Sequence, residues 1–175
     1  MNCSTVEKRL SREALAAHLG ATRSPERPVV FTNGCFDLLH VGHVRYLTAA
    51  RALGGLLVVG LNSNASVRRI KGPLRPIIGH EQRAEVLSGL ACVDFVTIFD
   101  EPDPFALIEA IQPDVLVKGA DWALADIIGA DVVLARGGRV ERISIVPGAS
   151  TSGIIDTIVA RYGGAERENN HGEMH

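Results

Sequence analysis

Apolar and polar positions along this chain fall into blocks that switch between two periods. Residues 29–32 form a short apolar run suited to a strand. Residues 42–53 then space Val44, Leu47 and Ala50 on neighbouring turns, as a helix does. Residues 56–61 are continuously apolar between glycine and asparagine, which reads as a strand buried on both faces. A helix over 81–90, a strand over 93–99, a helix over 104–111 and a strand over 114–118 continue the alternation. A further strand is expected over 140–146, and Ser150 is placed to cap a last helix running to about Tyr162. The segment 123–136 carries a weaker pattern, read as short helices. Strand–helix alternation of this kind predicts an α/β domain, a doubly wound parallel sheet with helices on both faces.

Ahead of this lies a different stretch. Residues 1–27 read as a helical appendage, with Ser4 and Glu7 as a capping box and a helix over 12–19 stopped by Gly20. The boundaries expected are therefore 1–27, a domain over 28–162, and a polar, glycine-bearing tail over 163–175 expected to be disordered. At 175 residues with 46% hydrophobic side chains, one domain with a sizeable core is expected. The net charge of −2 disfavours a nucleic-acid partner held by bulk charge. The longest apolar run is far shorter than the ~20 residues of a membrane helix, and Glu7, Lys8 and Arg9 stand where a leader would be apolar. No membrane partner and a cytoplasmic setting are expected. Three cysteines without C-x-x-C spacing suit a reducing compartment.

Parallel sheets bind ligands at the carboxyl ends of their strands, where strand order reverses. Four polar clusters fall at such ends: residues 33–43, Asn62-Ser63-Asn64, Lys118-Gly119-Ala120-Asp121 and Ser150-Thr151-Ser152. His40 and His43 lie at i and i+3 at a helix start, with Gly42 between them, so both can donate to phosphate oxygens. The pair alone reads first as two surface histidines; a metal site with Cys35 is a lesser alternative, since the glutamate of H-E-x-x-H is missing. Ser150, Thr151 and Ser152 add hydroxyls to the unpaired amides of a second helix start, though capping alone would explain them. Lys71 and Arg75 lie in a stretch, 68–76, too rich in glycine and proline to be one helix, which reads as a basic mobile loop over the site. Arg83 reads either as a ligand contact or as a partner of Glu81 or Glu85. Neither G-x-x-x-x-G-K-[ST] nor G-x-G-x-x-G is present, which sets aside P-loop ATPases and standard dinucleotide dehydrogenases.

Taken in order, His40-Val41-Gly42-His43 and Ser150-Thr151-Ser152 resemble the H-x-G-H and late Ser/Thr motifs of the cytidylyltransferase-like branch of the nucleotidylyltransferases. Within it, residues 31–37, 61–66, Lys71-Gly72 with Arg75-Pro76, Glu81-Gln82-Arg83 and Val117-Lys118-Gly119 are similar to heptose 1-phosphate adenylyltransferases. The chain departs from that pattern at Asn64 and Ala120. Trp122 is more like glycerol-3-phosphate cytidylyltransferases, which carry an arginine where Ile145 stands.

The resemblance implies a single Rossmann-like domain that transfers a nucleotidyl group from a nucleoside triphosphate, ATP first, to a sugar 1-phosphate, releasing pyrophosphate. It implies His40, His43 and Lys71 as catalytic groups. Thr32, Asn33, Gly34, Cys35, Phe36, Asp37, Gly42, Lys118, Gly119, Asp121, Ser150, Thr151 and Ser152 would line the nucleotide, and Asn62, Asn64, Arg75 and Arg83 the acceptor. Mg²⁺ would bridge phosphate oxygens near Asp37, without a metal centre built by the protein. The resemblance is to a free-standing form, with a separate sugar kinase in the same pathway, and exposed apolar helix faces would allow two copies to pair. The alternatives are a polyol-phosphate cytidylyltransferase and a non-catalytic nucleotide-binding module.

Overall fold

The computed structural model describes residues 5–163, so Ser4 of the expected capping box and residues 164–175 of the expected tail lie outside the described residues. Five strands, β1 (Val29–Gly34), β2 (Leu56–Asn62), β3 (Phe95–Phe99), β4 (Val115–Gly119) and β5 (Arg139–Ile143), form one sheet. All pairings are parallel and the order is β3-β2-β1-β4-β5. The chain builds outward from β1 through β2 to β3, then crosses back to lay β4 on the other side of β1. The reversal lies between β1 and β4, which puts a ligand crevice at their carboxyl ends.

Helices α1 (Arg12–Thr22), α2 (Val41–Arg51), α3 (Asn64–Lys71), α4 (His80–Ser88), α5 (Phe105–Ile111), α6 (Ala130–Ala135) and α7 (Thr151–Tyr162) connect or flank the strands. A 3₁₀ turn, Leu124–Asp126, precedes α6, so the segment 123–136 does consist of short helices. Period-2 alternation in the strands divides the interior into two cores. Val29, Phe31, Val58 and Leu116 face α1, α5 and α6, while Val30, Leu57, Val59, Val115 and Val117 face α2 and α4. All seven residues of β2 are buried, as its unbroken apolar run requires.

Three expectations are revised. Helix α1 does not stop at Gly20 but continues to Thr22, ending where the Arg23 N–H donates to the Leu19 carbonyl at 2.8 Å. Leu15 and Leu19 are fully packed into the same core as Val29 and Phe31, so α1 is built into the domain. Residues 8–10 also run beside β3: the Val96 N–H donates to the Lys8 carbonyl at 2.9 Å and the Leu10 N–H to the Val96 carbonyl at 3.1 Å. They cover a sheet edge that would otherwise present unpaired backbone groups.

The stretch 68–76 is the second revision. Ser63 caps α3, its hydroxyl accepting from the Ser66 N–H at 3.0 Å, and the helix carries Arg68, Arg69, Ile70 and Lys71 up to Gly72. Gly72 has φ +94°, a conformation glycine adopts readily, and the loop is confined to the residues beyond it. Third, β5 is shorter than expected, ending at Ile143. No helix among the described residues is long and apolar enough to cross a membrane.

Candidate active site

At the carboxyl ends of β1, β2 and β4 lies a cavity of about 660 Å³. It gathers residues from far apart in sequence: Asn33 and Gly34 at the end of β1, Cys35, Phe36 and Asp37 just after it, His40, Gly42 and His43 at the start of α2, and Asn62 at the end of β2. Lys71 at the end of α3, Arg75 beyond it, Lys118 and Gly119 at the end of β4, Asp121 just after, and Ser150, Thr151 and Ser152 at the start of α7 complete it. A second cavity of about 480 Å³ lies at the opposite, amino ends of β1, β4 and β5, between Arg23 and Arg139. It is where α5 and α6 direct their carboxyl ends, the wrong polarity for phosphate.

The histidine pair is the core of the larger cavity. Their rings stack with centroids 3.8 Å apart and 23° between planes, and Phe36 packs against His43 at 5.3 Å. Both Nδ1 atoms are buried without a hydrogen-bond partner, which leaves Nε2 as the nitrogen of each ring open to a ligand. Burial, with a smaller contribution from His40, lowers the His43 pKa to about 4, and burial lowers that of His40 as well. The pair is therefore neutral at pH 7, so what each ring can offer a ligand is an N–H dipole and not a full charge. Gly42 makes room for it: a Cβ there would stand 2.9 Å from His40 Nδ1 and 3.2 Å from the Ala149 Cβ. Ala149 directly precedes the cap of α7, so the two helix starts meet at this glycine. Thr151 reinforces the junction by donating its hydroxyl to the Leu38 carbonyl at 3.3 Å. The Ser150 hydroxyl accepts from the Gly153 N–H at 3.0 Å, so it caps α7, while the first-turn amides of Thr151 and Ser152 have no partner within the helix.

Lys118 is a half-buried cation of the cavity. It donates to Asn33 Oδ1 and stands 5.6 Å from the centre of the Trp122 ring. Burial brings its pKa down to about 8, against the opposing pull of Cys35 and Asp121. Burial also pushes the Cys35 thiol up, despite nearby Lys71, Arg83 and Arg75, so Cys35 is no activated nucleophile. Among the described residues no group of three His, Cys, Asp or Glu side chains is placed to hold a metal ion.

Asp37 is committed elsewhere. Its carboxylate accepts from Arg75 Nε at 2.6 Å and from the N–H groups of Ile77 and Ile78 at 2.9 Å. Burial alone would raise its pKa; the Ile78, Ile77 and Arg75 donors outweigh that and hold it below the ordinary value. Asp37 therefore staples the segment after α3 to the loop after β1, and has no free oxygen to offer a nearby Mg²⁺.

Thr32, Asn64 and Arg83 do not line the cavity. Thr32 is buried and shares a 2.8 Å hydrogen bond with the Tyr46 hydroxyl. Arg83, 2% exposed, donates to the carbonyls of Cys35, Asn62 (3.0 Å) and Ile78 (2.8 Å), and to Asn64 Oδ1 (3.0 Å). Asn64 Oδ1 also accepts from the His80 N–H at 2.8 Å. Arg83 thus ties together the loops after β1 and β2 and the entry to α4, and pairs with neither Glu81 nor Glu85; Glu81 faces Arg9 at 3.3 Å. Tyr46, Asp103, Asp126, Ile128 and Val146 also line the cavity. Tyr46 was within reach of the sequence, standing one helical turn beyond His43; Asp126 ends the short 3₁₀ turn and the others lie in loops, none of which carries a periodic signal.

The cytidylyltransferase-like family model matches residues 31–149. Bifunctional protein HldE of Syntrophotalea carbinolica is 54% identical over 151 residues, covering 86% of this chain and 31% of the relative. The same-named protein of Geotalea uraniireducens is 58% identical over 146 residues, covering 83% of this chain and 30% of the relative. The chain thus spans about a third of the length of these curated relatives. Among solved structures, the lipopolysaccharide core biosynthesis protein of Thermoplasma volcanium aligns with a TM-score of 0.57 and 29% identity, over 69% of this chain and 97% of that one. The family match takes in the first strand, the histidine pair and the approach to α7, and the chain belongs to the cytidylyltransferase-like family of nucleotidyltransferases.

Proposed function

We propose that the chain transfers an adenylyl group from ATP to a sugar 1-phosphate, with heptose 1-phosphate as the favoured acceptor, releasing pyrophosphate. The observation that carries this reading is the meeting of two helix starts, His40 to His43 and Ser150 to Ser152, at one cavity with Lys71 and Lys118. The likeness to HldE proteins and to a lipopolysaccharide core biosynthesis protein supports the choice of acceptor.

In this mechanism a phosphate oxygen of the acceptor attacks the α-phosphorus in line. The new P–O bond forms as the bond to the β-phosphate breaks, and pyrophosphate carries away the electron pair. The attacking oxygen is already ionised at neutral pH, so no general base is required. Catalysis is then placement and charge stabilisation. Neutral His40 and His43 donate from Nε2 to the oxygens of the α-phosphoryl group, where negative charge gathers in the transition state. The amides of Thr151 and Ser152 hold the β- and γ-phosphates, and Lys71 and Lys118 balance their charge. Mg²⁺ enters with the triphosphate as part of the substrate, held by phosphate oxygens and water as this ion prefers. Asn62 and Arg75 line the acceptor side. The sugar kinase that a 1-phosphate acceptor requires is assigned to an activity outside residues 1–175, and a triphosphate donor suits a cytoplasmic setting.

Trp122 in the cavity supports a second reading, a cytidylyltransferase acting on glycerol 3-phosphate or a related polyol phosphate. Pyrophosphate release measured with ATP, CTP, GTP and UTP, each against heptose 1-phosphate and glycerol 3-phosphate, separates the two. Release with ATP and heptose 1-phosphate is the expected result. Release only with CTP and glycerol 3-phosphate overturns the substrates and keeps the reaction class; no release with any pair favours a binding module.

A further inference from the structure

Among the described residues, the ion pair of Asp37 and Arg75 is the most buried, with side chains 0% and 15% exposed. Its two members are used differently. Both oxygens of Asp37 are occupied, by Arg75 Nε and by the N–H groups of Ile77 and Ile78. Arg75 gives only Nε. Its two terminal nitrogens have no partner among the described residues, and neither is buried. Arg75 lines the cavity. A guanidinium held at Nε keeps those two nitrogens in one plane, at a spacing that matches two oxygens of a phosphate. The Ile77 and Ile78 N–H groups already fasten the segment to Asp37, so closing the loop does not require a charged third donor.

Asp37 reaches this place through an unusual backbone. Phe36 has φ +42°, a conformation that bulky residues rarely adopt. There the Phe36 ring packs against His43 at 5.3 Å between centroids, while the next residue meets the segment 75–78. Two consecutive side chains thus fix the histidine pair and the Arg75 fork relative to one another. Backbone strain of this kind clusters where a site needs fixed geometry.

The fork also stands on the side that the acceptor needs. Helix α7 follows β5, on one side of β1; Arg75 belongs to the connection that leaves β2, on the other side. In-line displacement sets the attacking oxygen opposite the leaving pyrophosphate. With the β- and γ-phosphates at the α7 amides, the attacking phosphate comes from the β2 side.

We propose that Asp37 is a positioning residue: it holds Arg75 at Nε so that the two terminal nitrogens clamp two oxygens of the acceptor's phosphate monoester. The third oxygen is left free to attack the α-phosphorus. This deepens the nucleotidyl-transfer reading above and rests on it.

Isothermal titration calorimetry of the full chain at pH 7 tests the clamp. Heptose 1-phosphate and glycerol 3-phosphate are titrated in turn in the presence of α,β-methylene ATP, which cannot transfer its nucleotidyl group, and the one that binds is carried through the variants. The ATP analogue is titrated separately. Arg75→Met is expected to weaken the sugar phosphate by about tenfold or more and the ATP analogue by less than about twofold, as loss of one charge-assisted contact predicts. Arg75→Lys keeps the charge without the fork and is expected to recover little of that loss. Asp37→Asn is expected to show the same split between the two ligands. Combined with Arg75→Met, it is expected to bind as Arg75→Met does alone, because both act through one contact. Should Asp37→Asn fail to fold, Asp37→Glu keeps the carboxylate and moves it by one methylene, and the same split and non-additivity are expected of it. An Asp37 variant with wild-type affinity for the sugar phosphate, with equal losses for both ligands, or with losses that add to those of Arg75→Met overturns the positioning role and leaves the reaction class standing. A wild type that binds neither sugar phosphate overturns the acceptor reading, and the clamp with it.

Discussion

The imidazoles of His40 and His43 stack with ring centroids 3.8 Å apart, and each turns a partnerless Nδ1 into the protein. Two imidazolium ions at that spacing would repel strongly, and neither has a carboxylate partner to offset the cost of burial. The stack therefore stabilises the neutral form of both rings. On the proposed nucleotidyl-transfer reading, the site then offers two kinds of phosphate contact: fixed dipoles at the histidines and the α7 amides, and full charges at Lys71 and Lys118. In the proposed transfer, such dipoles would need no reorganisation as charge builds in the transition state.

His43→Ala is expected to lower turnover by about 10²–10³, the usual cost of one strong transition-state donor, with a retained circular dichroism spectrum. The buried ring also marks stability. Its pKa is about 4 in the folded chain against 6.5 ordinarily, so between those values the unfolded chain binds a proton that the folded chain refuses. Stability is then full above pH 6.5 and falls as pH drops toward 4. His43→Asn, which cannot titrate, is expected to flatten that part of the urea-midpoint profile.

Lys118 predicts the alkaline side of activity. With a pKa of about 8, it loses its charge just above physiological pH. The pH profile of kcat/KM reports groups of the free enzyme, so kcat/KM for the triphosphate is expected to fall above pH 8. Lys118→Arg keeps a charge throughout this range and moves the falling limb to higher pH, at lower absolute activity because the planar guanidinium does not reproduce the ammonium's bond to Asn33. An unchanged limb in Lys118→Arg counts against this role for the lysine.

How far each element was legible in the sequence depends on where its residues find their partners. Strand β2 was legible because both its faces are covered, so residues 56–61 are apolar without interruption. Strand β5 blurred because it is an edge strand whose Arg139 and Glu141 face one another at 3.2 Å in place of core neighbours. Helix α3 was hidden because its only buried residues are Ser66 and Val67, and the glycine and prolines just beyond it dominate the local pattern. The cavity-lining residues at the two helix starts, His40 to His43 and Ser150 to Ser152, were legible because helix starts and glycines carry a local signature. Arg83 and Asp37 were not, since their partners are mostly backbone groups, and a carbonyl or N–H contributed from 5 to 48 positions away leaves no trace in side-chain identity.

Arg83→Met is expected to destabilise the fold by about 2–4 kcal/mol, measured by urea unfolding, because it leaves several buried acceptors unpaired. The carbonyls of Cys35, Asn62 and Ile78 would lose their common donor. A variant as stable as the wild type with a KM effect confined to the acceptor would return Arg83 to the role of a ligand contact.

Asp37→Asn tests the staple between the loop after β1 and residues 75–78. An amide cannot accept from Arg75, Ile77 and Ile78 together as the carboxylate does. Because the folded carboxyl lies below its ordinary pKa, its contribution is present above about pH 4 and lost as pH falls through the folded value. The variant is expected to be less stable at pH 7 than the wild type, with the gap closing in acid. Equal urea midpoints at pH 7 would show that the staple contributes nothing.

Gly42→Ala separates packing from chemistry. The added methyl would press on His40 Nδ1 at 2.9 Å and on the Ala149 Cβ at 3.2 Å, both at the meeting point of the two helix starts. The α2 backbone at Gly42 is ordinary helix, and alanine is the better helix former there by about 1 kcal/mol. The gain offsets part of the crowding, so the unfolding midpoint is expected to move little. The histidine ring must turn or the start of α7 must retreat, and either displaces donors whose value depends on sub-ångström placement. Turnover is expected to fall by about 10-fold or more, with a smaller change in KM for the triphosphate. A Gly42→Ala protein with wild-type kcat would mean that the ring relaxes without cost, and that the spacing between His40 and Ala149 is not part of the catalytic geometry.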